Sequence, residues 1–354
     1  METFKLRVFR YDPTKDSEGY YQEYTLPVEK GMTVLAALFK AKEEQDPTIS
    51  FRYNCRAAIC GSCSMRINGH ATLACKEQVT KILEKYNTDT ITVEPIGNVK
   101  PLKDLIFDFD YLLEKFKKIK PWFIPKEAPP EDGTEYRQSP YEHHKIDFAS
   151  DCILCASCVS ECNALKANDK YLSPFVLAKA YRFAADSRDG ARKERLEAVL
   201  EHFNLEWCVR CWQCTTNCPK EVQPYESIIR LRIIAAEEGY KTPGEKHAEI
   251  FEEDIRERGL LNEMLLPMRQ EGLLGAIKRA PFGIKMFFKG KVNIADFFGG
   301  HKVKRHEEVE KIYAKAKEKA KEVQIKIPQI LGVVYEDKRK TAKRANFLDK
   351  GGNE

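Results

Sequence analysis

Long apolar runs are missing from this 354-residue chain. No stretch is apolar for long enough to cross a bilayer as a helix. The opening METFKLRVFRYD lacks the apolar core of a secretory signal. An excess of one charge is missing too: 59 Lys and Arg stand against 54 Asp and Glu, for a formal net charge of +5. Because the two signs are interleaved, nucleic acid is not expected as a partner. No acid–base or nucleophilic constellation can be picked out, so substrate chemistry is not expected on this chain itself. Also missing is any spare cysteine, since each one falls into a spaced group.

Cysteine is what the chain has in plenty, with 12 residues. Eight form two matched runs, Cys152-Cys155-Cys158-Cys162 and Cys208-Cys211-Cys214-Cys218, each reading C-x2-C-x2-C-x3-C. That spacing resembles ferredoxins that carry two cubane iron–sulfur clusters. The remaining four, Cys55, Cys60, Cys63 and Cys75, read C-x4-C-x2-C followed by a distant Cys, the plant-type [2Fe–2S] pattern. Zinc is the competing ligand for C-x2-C pairs, and disulfides are the competing use of cysteine in an extracellular protein. Neither accounts for the same four-cysteine run occurring twice. In two-cluster ferredoxins the fourth Cys of each run serves the other cluster. On that pattern Cys152, Cys155, Cys158 and Cys218 hold one [4Fe–4S] cluster. Cys162, Cys208, Cys211 and Cys214 hold a second cubane, [4Fe–4S] in preference to [3Fe–4S].

The length suits two or three domains. Residues 1–100 are expected to form a β-grasp [2Fe–2S] ferredoxin domain of α+β class. Phe4, Leu6 and Val8 alternate as in a half-buried strand, and Tyr20–Leu26 supplies a second. Thr33 can cap a helix with the apolar face Val34, Leu35, Leu38 and Phe39. Ser64–Ile67 and His70–Leu73 flank an Asn68-Gly69 hairpin turn, and Ile91–Ile96 closes the unit. The cysteine loop Phe51–Ser64 contains Gly61, which lets backbone approach a cluster. Arg56 is placed to offset cluster charge, while Arg52 reads as solvated. Residues 101–145 read as a linker: a short helix over Leu105–Phe116, then prolines forcing extended chain. His143 and His144 read as surface residues. Residues 146–240 read as an all-α domain carrying both cubanes. Its helices begin at Ser173-Pro174, run through Leu196, Val199, Leu200 and Phe203, and start again at Pro224 to end near Gly239.

The segment from Ser50 to Cys75, with Cys55-Arg-Ala-Ala-Ile-Cys60-Gly-Ser-Cys63 at its centre, closely resembles the iron–sulfur subunits of succinate dehydrogenase and fumarate reductase. So do Cys152-Ile-Leu-Cys-Ala-Ser-Cys, Ala180-Tyr-Arg-Phe-Ala-Ala-Asp-Ser-Arg-Asp and Cys214-Thr-Thr-Asn-Cys-Pro-Lys. The resemblance implies an electron-transfer subunit of a respiratory complex. Its partner would be a flavoprotein subunit with covalent FAD, which performs the succinate–fumarate chemistry. Two features depart from the usual family pattern. Cys211 stands where the common members lack cysteine and carry [3Fe–4S]. Asn163–Asn168 and Val209 replace the Pro, Trp pair and His that help line a quinone site. Trp207 and Trp212 read as packing around the cluster.

Residues 241–354 extend past the usual end of the family. Pieces of this extension, including Leu266-Pro-Met-Arg, resemble the C subunit of heterodisulfide reductases. That implies a cysteine-rich membrane-side partner, or a membrane-anchor subunit, with membrane contact only through partners. The implied location is the inner, cytoplasmic face of the membrane, and the sequence is equally compatible with export alongside a partner. Gly272–Lys291 is apolar and basic, and a partner protein is expected there in preference to a membrane surface. Val309, Ile312, Ala316, Ala320 and Val323 form a narrow apolar stripe on a solvated helix. Lys338–Arg344 reads as a flexible tail or a docking arm. The competing functions are the iron–sulfur subunit of a thiol-coupled fumarate reductase or glycolate oxidase-type complex, a free-standing ferredoxin-like carrier, and a zinc structural protein.

Overall fold

Alternation builds the first strand, β1 (Thr3–Arg10): Phe4, Leu6 and Val8 are buried while Thr3, Lys5 and Arg7 face solvent. In this computed structural model the described residues are 2–201, 205–291 and 302–322. Strand β2 (Tyr20–Pro27) pairs antiparallel with β1, Leu6 opposite Tyr24. Helix α1 (Val34–Glu44) starts where expected, with the Thr33 hydroxyl accepting from Ala36 N at 3.2 Å. Its Val34, Leu35, Leu38 and Ala41 are buried in the core over the sheet. Strands β3 (Ser64–Ile67) and β4 (His70–Leu73) form the expected hairpin. Asn68 and Gly69 both have positive φ, 46° and 83°, as a two-residue turn of matching twist requires. Helix α2 (Val79–Tyr86) leads into β5 (Thr90–Glu94), which runs parallel to β1. The sheet order is β2-β1-β5-β3-β4, a mixed sheet of the β-grasp type.

The expected helix over Leu105–Phe116 is corrected. Residues Pro101–Lys103 (β6) and Ile106–Phe107 (β7) form a two-stranded ribbon, and the helix, α3, occupies only Asp110–Lys117. Asp104 is the reason. It turns the ribbon at φ 45°, and its buried carboxylate accepts from Tyr11 N, Ser50 N and Arg10 Nε at 3.0, 2.8 and 3.1 Å. Those bonds pin residues 101–107 to the first domain as extended chain. Arg10 also binds Tyr24, Gln22, Thr48 and Asp46, so one buried guanidinium gathers four segments.

Helix α4 (Pro140–Ser150) begins inside the expected linker, at a Ser139–Glu142 capping box. Short helix α5 (Ser157–Ser160) lies within the first cysteine run, and α6 (Asn163–Ala167) follows it. Helix α7 (Pro174–Ala184) starts at the Ser-Pro signal and packs against α4 and α5. It is the most deeply buried helix in the domain, with Phe175, Leu177, Ala180 and Ala184 nearly inaccessible. Helix α8 (Arg192–Leu200) also packs on α7, and Phe203 lies outside the described residues. Helix α9 (Gln213–Thr216) lies within the second run, and α10 (Pro224–Glu237) follows it.

The chain divides into two compact units, Met1–Arg232 and Ile233–Glu354. In the second unit α11 (Pro243–Arg258) packs with α12 (Leu266–Phe288) and α13 (His306–Glu322). Asp254 anchors it, accepting from Asn262 N, Arg258 and Arg269 at 2.9, 2.7 and 2.6 Å. On α13 Ile312 is 67% exposed, so the described residues leave the apolar stripe largely uncovered. Val323, the side chain of Ala320 and Lys338–Arg344 lie outside the described residues. Among the described residues no helix is long and apolar enough to cross a membrane.

Candidate iron–sulfur centres

The first cysteine loop wraps its backbone around sulfur. Ala57 N, Ile59 N and Cys60 N point at Cys55 Sγ from 3.4, 3.3 and 3.2 Å. Cys55 N lies 3.4 Å from Cys60 Sγ, and Ala58 N lies 3.3 Å from Cys75 Sγ. Arg56 and Ala58 take positive φ to make this possible. Such a run of inward N–H groups favours negative charge on sulfur. The Ala57, Cys60 and Ile59 N–H groups pull the Cys55 thiol down to about 6, whereas burial pushes Cys63 up to about 12. The Arg56 guanidinium lies over the Phe39 ring at 4.6 Å, exposed beside the loop.

The two later runs have the same backbone. Leu154 and Ala156 flank Cys155 with φ of 57° and 63°, and Arg210 and Trp212 flank Cys211 with φ of 57° and 65°. Non-glycine residues adopt this region at a cost. The same strained pair around the second cysteine of each run gives Cys211 the same local backbone as Cys155.

Cys162, Cys208, Cys211 and Cys214 line one cavity, together with Tyr171 and Trp212. Cys218 lies near enough to Cys152, Cys155 and Cys158 for its thiolate to raise all three. Burial is the larger influence. It pushes Cys152 and Cys162 up to about 11 and Cys214 up to about 12, and raises Cys158 strongly. Buried thiolates need compensating positive charge, and bound iron supplies it. The second quartet lines a shared cavity, which suits a multi-atom cluster.

The three groups are neighbours within one unit. Ser64 Oγ donates to Cys155 O at 2.6 Å, joining the first loop to the second. A Cβ on Gly61 would lie 2.9 Å from Cys155 Cβ. Cys214 lies close enough to Cys158 for its thiolate to raise the Cys158 thiol. Both ends reach the surface: Cys55 and Cys211 are exposed, whereas Cys158 between them is buried. Val209, at the mouth of the last cavity, is 62% exposed. Trp212 stacks on Tyr225 at 4.5 Å in the cavity wall; Trp207 is exposed and does not line it.

Several supporting residues carry no signal in the sequence. Asn98 Nδ2 donates to the carbonyls of Val159, Ser160 and Cys162 at 2.9, 3.1 and 3.0 Å. Arg232 donates to Leu205 O and Cys208 O at 3.0 and 3.2 Å. Lys115 reaches from α3 to the carbonyls of Asp169 and Tyr171. A lone Asn, Arg or Lys distant in sequence from the cysteines cannot be distinguished from a solvated one. His143 is exposed, 3.7 Å from Asp147.

Residues 5–114 match the family described as a 2Fe-2S iron-sulfur cluster binding domain, and residues 148–222 the one described as a 4Fe-4S dicluster domain. The chain is similar to the 8-methylmenaquinol:fumarate reductase iron-sulfur subunit of Wolinella succinogenes: 38% identical over 326 residues, covering 90% of this chain and 100% of that one. It is also similar to the mitochondrial succinate dehydrogenase [ubiquinone] iron-sulfur subunit of Dictyostelium discoideum, 38% identical over 237 residues, 65% of this chain and 82% of that one. Among solved structures it resembles a chain of the Mycobacterium smegmatis Sdh1 complex in the apo form. There the TM-score is 0.58 at 27% identity, with 68% of this chain and 98% of that chain covered.

Proposed function

Because the chain belongs to the family of iron–sulfur subunits of succinate dehydrogenases and fumarate reductases, we propose that it serves a quinol-dependent fumarate reductase. In that complex it passes single electrons between a membrane-side donor and a flavoprotein subunit. The reductase direction is supported by coverage. The fumarate reductase relative matches 90% of the chain and so takes in most of the extension, whereas the succinate dehydrogenase relative matches 65%.

Iron–sulfur clusters supply one-electron redox chemistry when bound. Cys55, Cys60, Cys63 and Cys75 would hold [2Fe–2S]. Cys152, Cys155, Cys158 and Cys218 would hold the first [4Fe–4S], and Cys162, Cys208, Cys211 and Cys214 the second. The N–H groups of residues 57–60 stabilise charge on the first set of sulfurs. Burial around Cys158 excludes water from the middle set. The open mouth at Val209 and Trp212 is the face for an electron-donating partner, and the exposed loop at Cys55 is the face for the flavoprotein. The membrane-side partner is a cysteine-rich heterodisulfide-reductase-like subunit. The complex lies peripheral to the membrane, and the side it faces follows the export of its partners.

The cavity ringed by four cysteines, Cys211 among them, carries this reading. Electron paramagnetic resonance during stepwise reduction of the purified complex tests it. Paired [4Fe–4S] signals growing on reduction are expected. A strong [3Fe–4S] signal in the intact oxidised protein would refute the role of Cys211. Failure of quinol to reduce fumarate would refute the assigned direction.

A further inference from the structure

Helix α12 breaks at Gly272, whose φ of 76° and ψ of −172° are non-helical. Before the break it is tied to α11, through Arg269 to Asp254 and Glu253 and through Gln270 to His247. Beyond the break, Leu273–Phe288 runs on for about 24 Å with most of its side chains in solvent. Leu274 and Phe288 are each 82% exposed and Leu273 69%.

The exposed residues are ordered around the helix. At about 100° per residue, Leu273, Leu274, Ile277, Pro281, Ile284 and Phe288 fall within an arc of about 100°. Lys278, Lys285 and Lys289 occupy roughly the next 40°. Phe287 widens the arc on its other edge, and Phe282 stands apart from it. Arg279 lies on the far side and is paired with Glu271.

Composition identifies what covers this face. From Gly272 to Lys291 every polar side chain is Lys or Arg: there is no acid, amide or hydroxyl among them. A protein interface has a rim of mixed hydrogen-bonding groups around its apolar centre. An apolar arc with a purely cationic edge complements an anionic lipid surface. There the aliphatic and aromatic side chains enter the acyl boundary and the lysines snorkel to phosphate. We propose that residues 273–289 form an in-plane helix that seats this chain on an anionic membrane. The inference goes beyond the electron relay and does not depend on it.

Flotation of the full, cluster-loaded chain with lipid vesicles tests it. The chain should float with phosphatidylcholine vesicles containing about 30% phosphatidylglycerol, stay behind with phosphatidylcholine alone, and be stripped by roughly 0.5 M salt. Lys278→Gln/Lys285→Gln should weaken binding about thirty-fold, from about fivefold per cation. Leu274→Asp/Phe288→Asp should abolish flotation. As a second measurement, Phe288→Trp should gain fluorescence that is quenched by lipids brominated in their acyl chains. Equal binding to neutral and anionic vesicles, or no flotation of the unsubstituted chain, would overturn the proposal. So would Leu274→Asp/Phe288→Asp releasing a partner subunit while flotation persists, which would assign the face to a protein.

Discussion

Gly61→Ala should separate the first cysteine loop from the second. Gly61 has φ of 76°, and a Cβ there would lie 2.9 Å from Cys155 Cβ and 3.1 Å from both Cys155 Cα and Ile153 O. Left-handed backbone costs an alanine about 1–2 kcal/mol. Forcing a methyl into packed surroundings adds about 1–3 kcal/mol, because two of the three obstructing atoms are backbone and cannot swing aside. The sum is a loss of about 2–5 kcal/mol. Gly69→Ala supplies the comparison: its φ is 83°, but nothing lies within 4 Å of the added carbon. It should lose only the conformational part, about 1–2 kcal/mol. Urea unfolding of the two variants measures both. Gly61→Ala should also weaken the magnetic coupling between the first two centres, whereas Gly69→Ala should leave it intact. If the two variants are equally stable and equally coupled, the loops are not in the contact described.

Arg10→Met should lose about 3–5 kcal/mol in denaturant unfolding, because it strands Asp104 and Asp46 without their cation; a loss under about 1 kcal/mol would contradict this. Asn98→Ala removes the donor to three carbonyls and should lose about 1–3 kcal/mol. It should also lower the temperature at which visible cluster absorbance bleaches, and unchanged bleaching would refute its role as a clamp. Asp254 gives a pH dependence. Burial would raise its pKa, but Asn262 N–H, Arg258 and Arg269 together hold it below the ordinary carboxylate range. Its contribution is therefore present above about pH 4 and is lost as pH falls through the folded value. Acid unfolding of Asp254→Asn, followed by circular dichroism, should begin from lower stability and show a shallower decline below about pH 4; a parallel decline would refute the assignment.

Features encoded over a few adjacent residues were legible in the sequence. Thr33 before an apolar face, Asn68-Gly69 between short alternating runs and Ser173-Pro174 each act within a few residues of themselves, and each marks its element correctly. Family membership was legible because the cysteine-bearing strings are contiguous. Features that depend on distant partners were not legible. Residues 101–107 form a ribbon because Asp104 meets Arg10, Tyr11 and Ser50, none of which is near in sequence. Helix α2 was missed because only Val79 and Ile82 mark its buried face, too few for a period. Asn98 and Arg232 act on carbonyls more than twenty residues away. The left-handed residues around Cys155 and Cys211 include Leu154 and Trp212, types that give no warning of positive φ.

The two cubane runs have equal spacing and equal backbone, so the difference between them comes from their surroundings. Around the first run, Ala156, Ser157, Cys158 and Val159 are all buried, and the first domain's loop lies over Cys155. Around the second, Val209, Arg210, Cys211 and Trp212 are exposed. A low-dielectric, water-free shell disfavours added charge, whereas an open mouth lets solvent or a partner stabilise it. The same motif therefore yields a shielded middle position and an accessible terminal one. A freely diffusing two-cluster carrier has no need of that asymmetry, but a relay between two fixed partners does. Under the proposed assignment, Cys211 would supply the fourth ligand at this exposed end of the relay.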